Sequence, residues 1–169
     1  MSQSSLEIEL QDLVKLRTSQ INGCAYCIDM HWKDLRAEGE SEQRLDGLDA
    51  WDGSPYDTDR ERAALAWTEA VTRVNEGHVP DWVYRDVRRF FSEKELADLT
   101  LCIVTINGWN RLCMAFRAPA GTYQPVPKER NLVRPSVRRA DTDATHSFRQ
   151  ARHGCSAFGS FDFRRDSWL

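Results

Sequence analysis

The sequence has no stretch close to the roughly 18 to 20 consecutive apolar residues that a membrane-spanning helix requires. Its first residues, MSQSSLEIELQ, contain neither the basic nor the apolar segment of a secretory signal peptide. From these absences we expect a cytoplasmic protein with no membrane partner. No segment alternates apolar and polar residues over several positions with β-branched side chains, so the all-α class is favoured over any β-rich class.

Cysteine is scarce, and its count is odd. The five cysteines are Cys24, Cys27, Cys102, Cys113 and Cys155. An odd number in a chain without a secretory signal makes a framework of structural disulfides improbable. In a reducing compartment, the CxxC pair in NGCAYCIDMHW indicates either redox or metal chemistry.

Charge divides the chain into two parts. Residues 119–169 carry nine Lys and Arg against five Asp and Glu, whereas residues 1–118 carry 14 against 21. Helical periodicity ends near residue 125, so we predict a helical domain over 1–125 and a disordered, arginine-rich tail over 126–169. Because the basic residues of the tail are interleaved with acids and the rest of the chain is acidic, no nucleic-acid partner is expected.

Apolar residues recur at helical spacing through the first 116 residues. One helix is predicted over 6–21, ended by Asn22-Gly23, and a second from Cys24 to about Glu38. Capping boxes at 58–61 and 92–95 predict the starts of two further helices, of which the last runs to about residue 116 and is expected to be central and largely buried. The prediction is a compact all-α domain of five to six helices, with the CxxC at the start of one of them.

The CxxC spacing suits a reversible disulfide. Cys24 and Cys27 are three residues apart, so on a helix they are separated by about 4.5 Å along the axis, which brings their Cα atoms into the range for a disulfide. Free N–H groups and the dipole at a helix start also favour the thiolate, which is the reactive form.

His31 follows Cys27 by one helical turn on the same stripe. An imidazole that titrates near neutrality can accept the thiol proton and return it to a leaving oxygen. Zinc is the main chemical alternative, with Cys24, Cys27 and His31 as three ligands and a fourth from His78, Cys102 or Cys113. No second CxxC or HxxxH accompanies the motif, so no metal and no cofactor are expected, and Cys102 and Cys113 are interpreted as buried apolar residues.

The run DLVKLRTSQINGCAYCIDMHWKDLRAEGESEQRL resembles the core of the alkylhydroperoxidase D-like proteins within the carboxymuconolactone decarboxylase family. The later runs RERAALAWTEAVTRV and VTINGWNRLCMAFRAPAGTYQP resemble the later helices of that domain, so the resemblance covers about residues 6–125. It implies an all-helical fold assembled into homo-oligomers, and a peroxidase or thiol–disulfide activity.

The resemblance also implies roles for individual residues. Cys27 is the cysteine that a peroxide oxidises, Cys24 resolves it, and His31 links through a proton relay to a carboxylate twelve residues before the first cysteine, which here is Asp12. The family has glutamate at that position, so the shorter Asp12 is expected to weaken the relay. The family domain usually has a further helix ahead of the residue-6 region, and its absence is expected either to leave apolar surface for a partner subunit to cover or to leave the protein unstable.

Three functional hypotheses follow. The first is a peroxiredoxin-type alkylhydroperoxidase that reduces hydrogen peroxide or organic hydroperoxides and is regenerated by a reducing protein or a low-molecular-weight thiol. The second is a non-catalytic helical oligomer whose dithiol senses redox state or binds zinc. The third is a lactone decarboxylase, a chemistry that does not need a CxxC.

Overall fold

Five helices of ten or more residues dominate residues 4–125, the part of the chain that the computed structural model describes. In chain order the elements are α1 (Ile8–Asn22), α2 (Ala25–Glu38), α3 (Glu42–Asp46), a 3-10 helix (Leu48–Gly53), α4 (Asp59–Thr72), α5 (Val74–Gly77), α6 (Asp81–Phe90) and α7 (Glu93–Ala115). No residue of 4–125 is in a strand, so the all-α prediction is confirmed. None of the described helices is long and apolar enough to cross a membrane. The predicted tail, 126–169, lies outside the described residues.

Local chemistry fixes the helix ends where the sequence predicts them. Both capping boxes form, with Thr58 and Ser92 each accepting a hydrogen bond from the backbone N–H three residues on. Gly23 ends α1 in the left-handed conformation at φ +69°, a backbone geometry that costs glycine little. The chain therefore reverses sharply after α1, and Cys24 becomes the N-cap of α2.

The central helix is α1. Every residue from Leu10 to Ser19 is buried, and α2, α4 and α7 all pack against it. Its buried charged residues form ion pairs within the protein. Nζ of Lys15 lies 3.0 Å from Asp12 in the same helix, and the guanidinium of Arg17 lies 2.6 Å from Glu69 of α4.

The expectation that the last helix is central and largely buried is wrong. One face of α7 packs into the core, but Leu101 and Val104 on its other face are 57% and 55% exposed. The sequence pattern predicts deeper burial for α7 than for α1 because α7 is the more apolar helix. However, no other part of residues 4–125 covers its second apolar face.

Two apolar clusters hold the helices around α1. The larger joins α1, α4, α6 and α7 through Leu10, Val14, Ala64, Trp67, Val83, Val87, Phe91, Leu99 and Ile103. The smaller joins α1, α2, α3, the 3-10 helix and α4 through Leu13, Leu16, Leu35, Leu45, Leu48 and Leu65. Together they fix α2 against α1, and so position the start of α2, where the CxxC lies.

Candidate active site

Cys24 and Cys27 form a disulfide at the start of α2. Their Cα atoms are 5.3 Å apart, inside the range that a disulfide requires. The backbone N–H of Cys27 donates to Sγ of Cys24 at 3.4 Å, so the sulfur takes the place of an N-cap acceptor. Both residues are 1% exposed. The sulfurs therefore meet as the spacing predicts, but the pair is shielded from solvent.

An amide network fixes the turn that leads into the CxxC. The side-chain amide of Asn22, two residues before Cys24, donates to Oδ1 of Asn110 at 2.8 Å and to Oδ1 of Asn107 at 3.0 Å. Asn110 is fully buried and donates in turn to Oγ of Ser19 at 3.1 Å. The end of α1 is thereby bonded to α7 one turn before Cys113, which sets the position of α7 against the CxxC.

His31 lies one turn after Cys27 and is 2% exposed. Among the described residues neither of its ring nitrogens has a hydrogen-bond partner. The pKa of His31 is lowered to about 3, first by burial and then by the positive charge of Lys15, while the negative charge of Asp12 opposes both. The expectation that this imidazole titrates near neutrality is therefore wrong for the disulfide form, because the ring is buried beside a cation.

Asp12 is a buried residue of α1, and its negative charge acts to raise the pKa of His31. Its Oδ1 accepts a hydrogen bond from Nζ of Lys15 at 3.0 Å, and both residues are buried. Since the ring nitrogens of His31 are unpartnered, no direct hydrogen bond joins His31 to Asp12. Lys15, which the sequence gives no reason to single out, is the third charged or ionisable member of this group.

Cys113 is part of this site, where the sequence names it only as one of three candidates for a fourth zinc ligand. Its Sγ and the Sγ atoms of Cys24 and Cys27 all lie within 4.8 Å of one another. Cys113 is buried among apolar residues, as predicted, and it also belongs to this sulfur cluster. The signal in the sequence was its place one turn after Asn110, on the α7 stripe that meets the end of α1.

The other free thiol of the described chain, Cys102, lies elsewhere. Its Sγ donates to the carbonyl oxygen of Gln11 at 4.0 Å, and burial raises its pKa to about 11. The alternative zinc set, Cys24, Cys27 and His31 with a fourth ligand, is assembled only in part. Within residues 4–125 the cluster of candidate ligand atoms at this position contains three sulfurs and leaves His31 out.

A strap formed by residues 117–125 crosses α2 and helps to cover the sulfurs. Ala118 packs on the sulfur cluster together with Tyr26 and Met114. Further along, the strap is bonded to α2: the hydroxyl of Tyr123 donates to Asp34 at 2.7 Å and the backbone N–H of Gly121 donates to Asp29 at 3.1 Å. Burial, and then the bond to Asp34, raise the pKa of Tyr123, so its hydroxyl stays protonated as the donor.

Comparison with known sequences agrees with this arrangement. The sequence model of the carboxymuconolactone decarboxylase family matches residues 1–70, which contain α1, α2 and the CxxC. YdfG, an uncharacterized protein of Bacillus subtilis strain 168, is 44% identical over 113 residues, or 67% of this chain and 77% of YdfG. The match to YdfG thus extends well beyond the CxxC.

Solved structures share the helical arrangement. A protein of unknown function from Agrobacterium tumefaciens, assigned only provisionally to antioxidant defence as an AhpD protein, is 43% identical, with a TM-score of 0.67 over 72% of this chain and 81% of its own. An uncharacterized peroxidase-related protein from Silicibacter sp. TM1040 has the same fold, with a TM-score of 0.61 at 22% identity over 68% of this chain and 60% of its own. This chain belongs to the carboxymuconolactone decarboxylase family, among its AhpD-like members.

Proposed function

We propose that the protein is a thiol-dependent peroxidase that reduces hydrogen peroxide or organic hydroperoxides through a Cys24–Cys27 dithiol/disulfide cycle. The observation that carries the proposal is the pairing of the two sulfurs at the N-terminus of α2, with His31 one turn along the same helix. An AhpD-like relative of 43% identity, assigned provisionally to antioxidant defence, supports the same class of chemistry.

In this proposal Cys27 attacks the O–O bond. Its thiolate takes one oxygen and becomes a sulfenic acid, while the other oxygen leaves as water or an alcohol after receiving a proton. The thiol of Cys24 then condenses with the sulfenic acid, releasing water and forming the disulfide. Two thiols are oxidised for each peroxide reduced.

His31 is the proposed acceptor of the thiol proton. Burial and Lys15 lower the pKa of its imidazole in the disulfide form, which weakens it as a base, so the transfer needs a negative charge nearby. A thiolate at Cys27, one turn away, would then stabilise the imidazolium. Asp12 acts on His31 through its charge, partly offset by its ion pair with Lys15.

The cycle needs a reductant and an opening of the site. A reducing protein or a low-molecular-weight thiol must attack one of two sulfurs whose residues are 1% exposed. Because Ala118 of the strap packs on the sulfur cluster, we propose that the strap moves away from α2 when the disulfide is reduced. No cofactor enters the cycle.

We also propose that the protein functions as a homo-oligomer. Leu101, Val104, Gly108 and Leu112 form an exposed stripe along α7, at the spacing of one helical face. Apart from its chain neighbours and the nearby backbone of its own helix, no heavy atom lies within 4 Å of the position that a Cβ of Gly108 would take, so another helix could approach closely there. An apolar stripe of this kind is suited to packing against the same stripe of a second copy.

Peroxide consumption by cysteine variants tests the activity. With a thiol reductant present, Cys27→Ser is expected to abolish consumption. Without the reductant, Cys24→Ser combined with Cys113→Ser is expected to accumulate a sulfenic acid that dimedone traps at Cys27. Cys102→Ser is the matched control, since it removes a buried thiol outside the sulfur cluster and should retain wild-type turnover. Wild-type turnover by a variant lacking both Cys24 and Cys27 would refute the proposal.

A zinc-binding dithiol is the second candidate, and the three-sulfur cluster favours it. Cys24, Cys27 and Cys113 in their reduced state could bind one zinc ion as thiolates, which ligate zinc at about 2.3 Å. Metal analysis of the reduced, purified protein separates the two functions. One tightly bound zinc per chain, released only when the thiols are oxidised or alkylated, would exclude a freely cycling dithiol.

A further inference from the structure

A third thiol lies beside the proposed redox pair. Sγ of Cys113 is within 4.8 Å of both Sγ of Cys24 and Sγ of Cys27, although Cys113 is 86 positions after Cys27 in the sequence. A disulfide needs about 2.05 Å between sulfurs, and the remaining gap is of the size that a change of side-chain rotamer can close. The CxxC chemistry does not use this thiol.

We propose that Cys113 is a second resolving cysteine, whose thiol condenses with a sulfenic acid on Cys27 to form a Cys27–Cys113 disulfide. This inference rests on the proposed peroxidase function, which supplies the sulfenic acid. Cys113 loses its proton and its sulfur attacks Sγ of Cys27. The S–O bond breaks, and the departing hydroxide combines with the proton as water.

The fold holds Cys113 in place for this reaction. Asn110, one turn earlier on α7, is bonded to Asn22 and Ser19 at the end of α1, so the sulfur of Cys113 is kept next to the start of α2. Tyr26, Met114 and Ala118 close the cluster from the outside. A sulfenic acid formed there is therefore shielded from solvent but adjacent to two thiols.

Cys27 is a better partner for Cys113 than Cys24 is. The proposed function places the sulfenic acid on Cys27, so Cys27 carries the sulfur that the thiol of Cys113 attacks. A second resolving thiol also shortens the lifetime of the sulfenic acid, which limits its further oxidation to the sulfinic acid.

Every protein in the test is the full chain with Cys155→Ser, so that its cysteines all lie within residues 4–125. The test variant also carries Cys24→Ser. The reduced protein receives one equivalent of hydrogen peroxide and then dimedone, which traps any remaining sulfenic acid, before it is alkylated and mapped as non-reduced peptides. We expect a peptide pair joined by Cys27–Cys113 and the loss of two thiols per chain. Adding Cys113→Ser should remove the peptide pair and leave Cys27 as a dimedone adduct.

Adding Cys102→Ser instead is the matched control, and it should leave the Cys27–Cys113 pair intact. The inference is overturned if, in the Cys24→Ser protein, Cys113 stays fully alkylated while Cys27 carries dimedone. It is equally overturned if Cys27 pairs with Cys102 or with another chain.

Diamide separates this inference from the proposed function, because it oxidises dithiols without any peroxide step. Diamide could form Cys27–Cys113 in the Cys24→Ser protein while peroxide causes no thiol loss in the Cys155→Ser reference protein. That result would refute the peroxidase function and retain Cys113 as a redox-active thiol. Alternatively, peroxide could form Cys24–Cys27 in the reference protein while neither oxidant forms Cys27–Cys113, and that result would refute the role of Cys113 alone.

Discussion

The side-chain amide of Asn22 donates a hydrogen bond to Oδ1 of Asn110 at 2.8 Å. This bond joins the residue before the Gly23 turn to the C-terminal part of α7, on a buried path that also includes Ser19. Removal of a buried amide leaves its hydrogen-bond partners unsatisfied, which costs about 1–3 kcal/mol for each buried partner.

Replacing Asn110 with alanine is therefore expected to destabilise the fold by about 2–3 kcal/mol. The loss combines the orphaned groups of Asn22 and Ser19 with the space left by the side chain. Urea unfolding of the oxidised protein, followed by circular dichroism, measures it.

Thr105→Ala is the comparison for Asn110→Ala. The hydroxyl of Thr105 is bonded only to the carbonyl of Leu101 in its own helix. Its removal should change stability by less than about 0.5 kcal/mol. Equal effects of the two substitutions would contradict a special role for the amide network.

Much of this fold follows from short-range patterns. The capping boxes at Thr58 and Ser92 determine helix starts within four residues of sequence, which is why α4 and α7 begin where the sequence predicts. The same holds for the CxxC, because Gly23 and the position of Cys24 as N-cap are local features of the turn. The pairing of the two sulfurs therefore needed no knowledge of the tertiary structure.

The remaining features depend on partners far away in the sequence. The burial of α1 relies on Arg17 bonding Glu69, 52 residues on, and periodicity alone does not show such a pair. The place of Cys113 among the sulfurs depends on how α7 docks on α1. The pKa of His31 depends on its burial and on Lys15, so an imidazole that looks like a neutral-pH base in the sequence is uncharged in the fold.

The burial of His31 predicts that the oxidised protein loses stability as the pH falls below about 6.5. The folded-state pKa is about 3, below the unfolded value of about 6.5, so the unfolded chain binds the extra proton between these two values. Stability is complete above pH 6.5 and falls by about 1.4 kcal/mol per pH unit toward pH 3. Urea unfolding at pH 7 and pH 5 should differ by about 2 kcal/mol.

Replacing His31 with glutamine should remove most of that difference. His78→Asn is the control, because His78 is exposed and its replacement should leave the wild-type pH dependence unchanged. The interval between pH 5 and 7 is chosen because the carboxyl groups with lowered pKa, Glu61, Glu69, Glu95 and Asp98, begin from values of 4.5 or below. A His31→Gln protein with the full wild-type pH dependence would show that another group is responsible.

The strap predicts that access to the disulfide is limited by the bond between Tyr123 and Asp34. Tyr123→Phe removes a hydrogen bond to a carboxylate, the kind of bond that contributes about 1.5–3 kcal/mol. The strap should then open more often, and dithiothreitol should reduce the Cys24–Cys27 disulfide about tenfold faster. Quenching by alkylation at timed intervals, followed by mass spectrometry, gives the rate.

Tyr56→Phe provides the reference for that experiment. Tyr56 is an exposed tyrosine outside the strap, so its substitution should leave the reduction rate at the wild-type value. If Tyr123→Phe and wild-type protein are reduced at the same rate, the reductant reaches the sulfurs by a path that does not involve the strap.

The apolar stripe of α7 predicts that a single charge placed on it dissociates the proposed homo-oligomer. Leu101 and Val104 are more than half exposed in the single chain, so Val104→Glu should leave the helical circular dichroism signal unchanged. In an assembly that buries the stripe, the same carboxylate would be desolvated without a partner, which is strongly unfavourable. Sedimentation velocity should therefore show an oligomer for the wild type and a monomer for Val104→Glu. Gln43→Glu is the control, because it adds the same charge at an exposed position of α3 and should sediment like the wild type. A wild-type protein that is monomeric, or a Val104→Glu protein that remains oligomeric, would contradict assembly through this stripe.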